Sequence, residues 1–104
     1  MGYCELGDVK LILQIPAGDS TFDAELQSCI TSADALIDSL LKYEGLSVPS
    51  PVPQLVADAS AHYAAWLFRK RRDPTGAEAF WAEADKFLTA YIESEGEATG
   101  VTSA

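Results

Sequence analysis

Phe22-Asp-Ala-Glu-Leu-Gln-Ser-Cys-Ile-Thr-Ser-Ala-Asp-Ala-Leu-Ile-Asp-Ser-Leu-Leu41 is the stretch whose reading decides the fold. At about 100° per residue, Phe22, Leu26, Cys29, Ile30, Ala33, Leu36, Ile37, Leu40 and Leu41 fall within an arc of roughly 140°, the signature of a helix with one buried face. The other positions are polar apart from two alanines, and Tyr43 stands outside the pattern beyond the last turn. The helix is expected to start near Ser20, with Asp23 and Glu25 where carboxylates suit the positive end of its dipole. Gly45 ends it.

Upstream, Leu6, Val9, Ile12 and Leu13 share a helical spacing over about residues 5–14, with Leu11 and Ile15 in excess of one face. Proline at position 16 stops this first helix, because a residue before proline disfavours helical dihedrals. Downstream, Gly-Leu-Ser-Val-Pro-Ser-Pro-Val-Pro at 45–53 is an irregular link stiffened by three prolines. Pro53 suits the first turn of a third helix running to about Arg71. That helix is apolar nearly all round: Leu55, Val56, Ala59, Tyr63, Trp66 and Leu67 on one side, Ala57, Ala61, Ala64 and Phe68 on the other. It should therefore be central, and its small residues let a neighbouring backbone approach closely. A fourth helix follows Asp73-Pro74-Thr75-Gly76, with Ala77, Phe80, Trp81, Ala84, Phe87, Leu88, Tyr91 and Ile92 in a wide apolar arc.

No apolar and polar alternation is sustained anywhere, so the chain reads as all-α: one four-helix domain, residues 1–93, with a proline-rich link between helices two and three. Residues 94–104 lack periodicity and are expected to form a flexible acidic, extended C-terminal tail.

A chain of 104 residues supports one modest core and buries about 60 to 70% of its unfolded surface, so isolated stability is expected to be marginal without partners. An apolar fraction of 48% argues against disorder, and no apolar run approaches the roughly 20 residues that span a bilayer. No secretory signal is recognised at the N-terminus, so synthesis in a cytoplasm is expected. The net charge of −9 disfavours long-range attraction to nucleic acid.

Residues able to carry chemistry are sparse. Cys4 and Cys29 are too few for a metal cluster, and Cys29 reads as a small core residue. His62, the only histidine, lies at the edge of an apolar stripe and reads as structural. Asp34 and Asp38 share the polar face of helix two, where they could hold a hard cation or simply meet water. Nucleotide, zinc-protease and calcium-loop motifs are missing from the sequence, and neither catalysis nor a cofactor is expected. Asp38-Ser39-Leu40 matches the attachment motif of acyl carrier proteins, but there the serine opens a helix, whereas Ser39 falls inside one.

Arg69-Lys70-Arg71-Arg72 is the one strong anomaly, gathering four of seven cations in a protein with sixteen acids. Cations suit the C-terminal end of a helix and can pair with neighbouring acids. They could equally meet an acidic partner surface, another copy of the chain, or nucleic-acid phosphates, as in a small helical DNA-binding regulator.

Taken together, Leu6-Gly-Asp-Val-Lys-Leu-Ile-Leu-Gln-Ile15, Phe22-Asp-Ala-Glu-Leu26 with Ala33-Asp-Ala-Leu-Ile-Asp38, and Leu55-Val-Ala-Asp-Ala59 with Ala65-Trp-Leu-Phe-Arg69 resemble the head-to-tail connector, or adaptor, proteins of tailed bacteriophages. The resemblance spans Tyr3 to Glu93 and rests on helix patterns, with a heavier basic cluster and an acidic tail as departures. It implies a virion neck protein assembled in the host cytoplasm: a homo-oligomeric ring of about twelve copies beneath the portal. Such a ring joins the portal to a tail or stopper protein and lets DNA pass without sequence-specific binding. Arg69, Lys70, Arg71 and Arg72 would then make inter-subunit or portal contacts, and the tail would order on docking.

Overall fold

A computed structural model of the chain describes residues 2–47 and 49–95, with the backbone of 96–98. It is all-α, with α1 at Leu6–Leu13, α2 at Asp23–Tyr43, α3 at Gln54–Lys70 and α4 at Pro74–Ala98, and no strand among the described residues.

The helix ends follow local chemistry. At the start of α1, the Glu5 N–H donates to the Asp8 carboxylate at 2.9 Å. Its end turns through Gln14 in the left-handed region, and the Ile15 N–H returns to the Lys10 carbonyl at 2.8 Å. The second helix begins at Asp23, three residues later than the sequence suggests. The Asp19 carboxylate takes the Thr21 N–H at 3.0 Å, and the Asp23 N–H bonds to the Ser20 carbonyl at 3.2 Å, so Thr21 and Phe22 form a turn ahead of the helix. At its far end Gly45 adopts φ 79°, which lets the Leu46 N–H bond back to the Leu41 carbonyl at 2.8 Å.

Helix α4 starts at Pro74, earlier than expected. Asp73 caps it by accepting the Gly76 N–H at 3.1 Å, and proline fits the first helical position because its missing N–H costs nothing there. It also continues to Ala98, five residues beyond the end expected at residue 93, because a formed helix extends cheaply through residues such as glutamate and alanine. The remainder of the expected tail, 99–104, lies outside the described residues.

Successive helices are antiparallel. Tyr3 meets Asp34 while Lys10 meets Asp23, which sets α1 against α2. Arg72 meets Glu25 while Ser60 meets Asp34, which reverses α3 on α2, and Arg69–Phe80 with His62–Phe87 reverses α4 on α3. Central α3 touches every other helix, as its all-round apolar surface predicts, with Val56, Ala59, Tyr63, Ala64 and Ala65 fully buried. Because α2 and α4 each pack chiefly on α3, the molecule is a slab of 50 × 28 × 18 Å and not a closed bundle. Its radius of gyration, 14.4 Å, exceeds the roughly 13 Å of a compact domain this long.

The wide apolar surfaces read for the third and fourth helices are largely absorbed inside the chain by this sandwiching. Among the described residues, the large apolar side chains left outside are Leu11, Tyr43, Val52 and Trp81, of which Leu11 is 80% and Tyr43 86% exposed.

Candidate functional site

The C-terminal end of α1, the N-terminal end of α2, the C-terminal end of α3 and the N-terminal end of α4 converge at one end of the slab. The segments Lys10–Glu25 and Arg69–Glu78 that build it hold five cations and five carboxylates. The rest of the chain holds eleven carboxylates and two cations, Lys42 and Lys86, so the whole net charge of −9 lies away from this end. An electrically balanced end therefore faces an acidic body.

Each member of the Arg69–Arg72 cluster has an internal partner. Arg72 forks onto Glu25, at 2.9 Å to Oε1 and 3.1 Å to Oε2, lies 3.9 Å above the Phe68 ring, and donates to the Phe68 carbonyl at 3.0 Å. Arg71 reaches the same Glu25 at 3.1 Å. These bonds hold the Glu25 carboxyl below the usual carboxylate range. Bidentate geometry of this kind stitches the end of α3 to the start of α2. Lys70 covers the Trp66 ring at 4.3 Å, and Arg69 lies 5.6 Å from the Phe80 ring. Arg72 is thus substantially structural, whereas exposed Lys70 and Arg71 keep donors in water.

Beside the cluster runs a groove of about 400 Å³. Leu13, Ile15, Phe22 and Phe68 make its floor, and Arg69, Arg72 and Asp73 its rim. Phe22 and Phe68 meet edge to face at 5.4 Å, which fixes the floor. Below lies Lys10, 5% exposed, with Nζ 2.7 Å from Asp23 and 3.2 Å from the Ala17 carbonyl. Sequence reading marks the arginines but not the floor, which the end of α1, the start of α2 and the distant end of α3 assemble.

The other sequence candidates are placed as follows. Asp34 accepts the Ser60 hydroxyl at 2.7 Å and the Tyr3 N–H at 3.2 Å, and Asp38 accepts the Tyr3 phenol. The two carboxylates are thus occupied in holding the N-terminal segment on α2 and α3. Burial is the main reason the Tyr3 phenol and the Cys4 thiol are both harder to ionise than usual, the thiol being pushed up to about 11. Burial pushes the Cys29 thiol up as well, consistent with its place in the core. His62 Nδ1 is 2.8 Å from the Asp58 carbonyl and its ring packs against Phe87 at a tilt of 46°, so it is held within the α3–α4 packing. Ser39 is exposed within uninterrupted α2, about one turn before its end. No group of three or more metal-binding side chains is found among the described residues.

Comparison with protein-family models, curated proteins and solved structures gives no match for this chain.

Proposed function

We propose that this protein is a non-catalytic structural subunit of a multi-copy assembly and, within that class, a head-to-tail connector of a tailed-phage virion. In this reading about twelve copies form a ring beneath the portal, contact a tail or stopper protein, and let DNA pass along an acidic surface that does not hold it. The observation that carries the proposal is the polarity of the slab: an apolar groove rimmed by arginines at one end, acidic surface and an exposed tyrosine at the other. Heterologous contacts between copies need two dissimilar surfaces of this sort on each subunit. The helix order and the resemblance over Tyr3–Glu93 support the narrower assignment.

The reading as a DNA-binding regulator has less support. Arg71 and Arg72 direct donors to Glu25 that phosphates would otherwise take.

Native mass spectrometry of the full chain with a portal protein tests the proposal, the expected result being a ring of the chain on the portal ring. Failure to bind any portal while remaining folded sinks the connector assignment. Reversing Arg69 and Lys70 to glutamate should reduce ring formation and DNA retention, and unchanged values for both would remove the cluster from the contact.

A further inference from the structure

The groove at the balanced end has a matching shape elsewhere on the same chain. At the C-terminus of α2, Tyr43 is 86% exposed, flanked by exposed Lys42 and Glu44. Its setting is rigid: the Glu44 N–H bonds to the Leu40 carbonyl at 3.1 Å, Gly45 reverses the chain, and half-buried Leu46 is bonded back to Leu41. An aromatic ring held out on a fixed corner loses little freedom when it docks. Glu44 is also poorly placed in the lone chain. It caps the negative end of the α2 dipole and forms no ion pair among the described residues.

The charge patterns correspond. The groove offers an apolar floor with Arg69 and Arg72 together with Asp73 on its rim; the corner offers an aromatic ring between a carboxylate and an ammonium. A ring on the floor would set Glu44 beside the Arg69 guanidinium, which pairs with no carboxylate among the described residues, and leave Lys42 for Asp73. Helix α2 itself separates the two: the groove includes Phe22 before its first turn, and the corner is its last, 21 residues and about 30 Å away. No chain can fill its own groove with its own corner.

We infer that the occupant of the groove is the Lys42-Tyr43-Glu44 corner of a second copy of this chain. The contact is head-to-tail, so it closes a ring or extends a filament according to the rotation between copies. This inference rests on the multi-copy reading above but can fail separately from it.

The test uses the full chain alone, followed by sedimentation velocity and native mass spectrometry up to about 0.5 mM, a concentration that reveals even weak specific contacts. Wild type should self-associate with concentration. Tyr43→Ala and Glu44→Arg, both exposed and expected to fold as wild type by circular dichroism, should each weaken association at least tenfold. Arg69→Glu should do the same from the groove side. An equimolar mixture of Tyr43→Ala and Arg69→Glu chains retains one intact groove and one intact corner, and should stop at a one-to-one dimer. Combining Glu44→Arg with Arg69→Glu in one chain should recover part of the lost association. Self-association undiminished by Tyr43→Ala overturns the groove-and-corner contact while leaving multi-copy assembly intact. A wild-type chain that stays monomeric throughout this range yet still forms a ring on a portal overturns the inference and leaves the connector proposal standing.

Discussion

The two faces of α3 are built on different chemistry. Towards α2 and α1 the packing of Val9, Leu26, Ile30 and Ile37 is laced with polar links: Arg71 and Arg72 on Glu25, Ser60 on Asp34, Tyr3 on Asp34 and Asp38. Towards α4 the seam is aromatic and small: Tyr63 against Trp81 at 5.1 Å, Trp66 against Trp81 at 4.6 Å, His62 against Phe87 at 5.2 Å, with Ala77 and Ala84 fully buried. No hydrogen bond or ion pair between side chains crosses that second seam among the described residues, and the buried Tyr63 hydroxyl has no partner. A seam of polar links fixes register and responds to pH and salt. A seam of ring packing responds to volume.

The largest expected effect comes from the aromatic seam. Tyr63→Ala removes the largest fully buried side chain and should cost about 3–5 kcal/mol in denaturant unfolding, as truncation of a core aromatic does. Tyr63→Phe should be neutral or stabilising, since it deletes a buried hydroxyl that lacks a partner. A large loss for the phenylalanine variant would show that the seam has a polar component.

On the polar side, Ser60→Ala should cost about 1–3 kcal/mol, the range for a buried hydrogen bond to a carboxylate. It should also increase amide exchange in the Tyr3–Glu5 segment, which that network holds.

Alkaline pH acts on both faces. Burial raises the folded-state pKa of Tyr63 from 10.0 to about 12 and that of Cys4 from 9.0 to about 11. The neutral form is favoured by the fold in each case, so the associated stability is complete below the unfolded values and is lost as pH rises through the folded ones. Thermal midpoints should therefore decline from about pH 9 towards pH 12, and Tyr63→Phe should flatten the upper part of that decline.

The smallest effect belongs to the exposed fork. Glu25→Gln should change stability by less than about 1 kcal/mol, as exposed ion pairs do, with most of the loss gone in high salt. The folded state lowers the Glu25 pKa, so its contribution is present above the unfolded carboxylate range and disappears as pH falls through the folded value. The variant should lack that acid-side component. If it is as costly as Ser60→Ala, the division between exposed and buried polar links is wrong.

Much of this was legible beforehand because helix periodicity is local. The face of α2 from Leu26 to Leu41 and the central place of α3 follow from residues three and four apart, which the structure buries as the pattern requires. The early start of α4 was less legible, since Asp73 reads as part of a link until its carboxylate is seen taking the Gly76 N–H. Lys10 reads as a surface residue of α1, and only the arrival of Asp23 and the Ala17 carbonyl makes its burial tolerable.

The candidate site divides in the same way. Composition alone singles out Arg69–Arg72, and Tyr43 is the one large apolar residue outside the buried arc at the end of α2, so both halves of the inferred contact leave a mark in the sequence. Their relation does not. The sequence by itself determined four helices, one apolar face on α2, a central α3 and a clustered positive charge, because each depends on neighbours within a turn or two. Only the tertiary structure decided that Arg72 is spent on Glu25, that the groove floor forms from α1, α2 and α3, and that it opens some 30 Å from the corner that matches it. Those facts depend on residues tens of positions apart meeting in space, and helical spacing carries no information about which distant faces will meet.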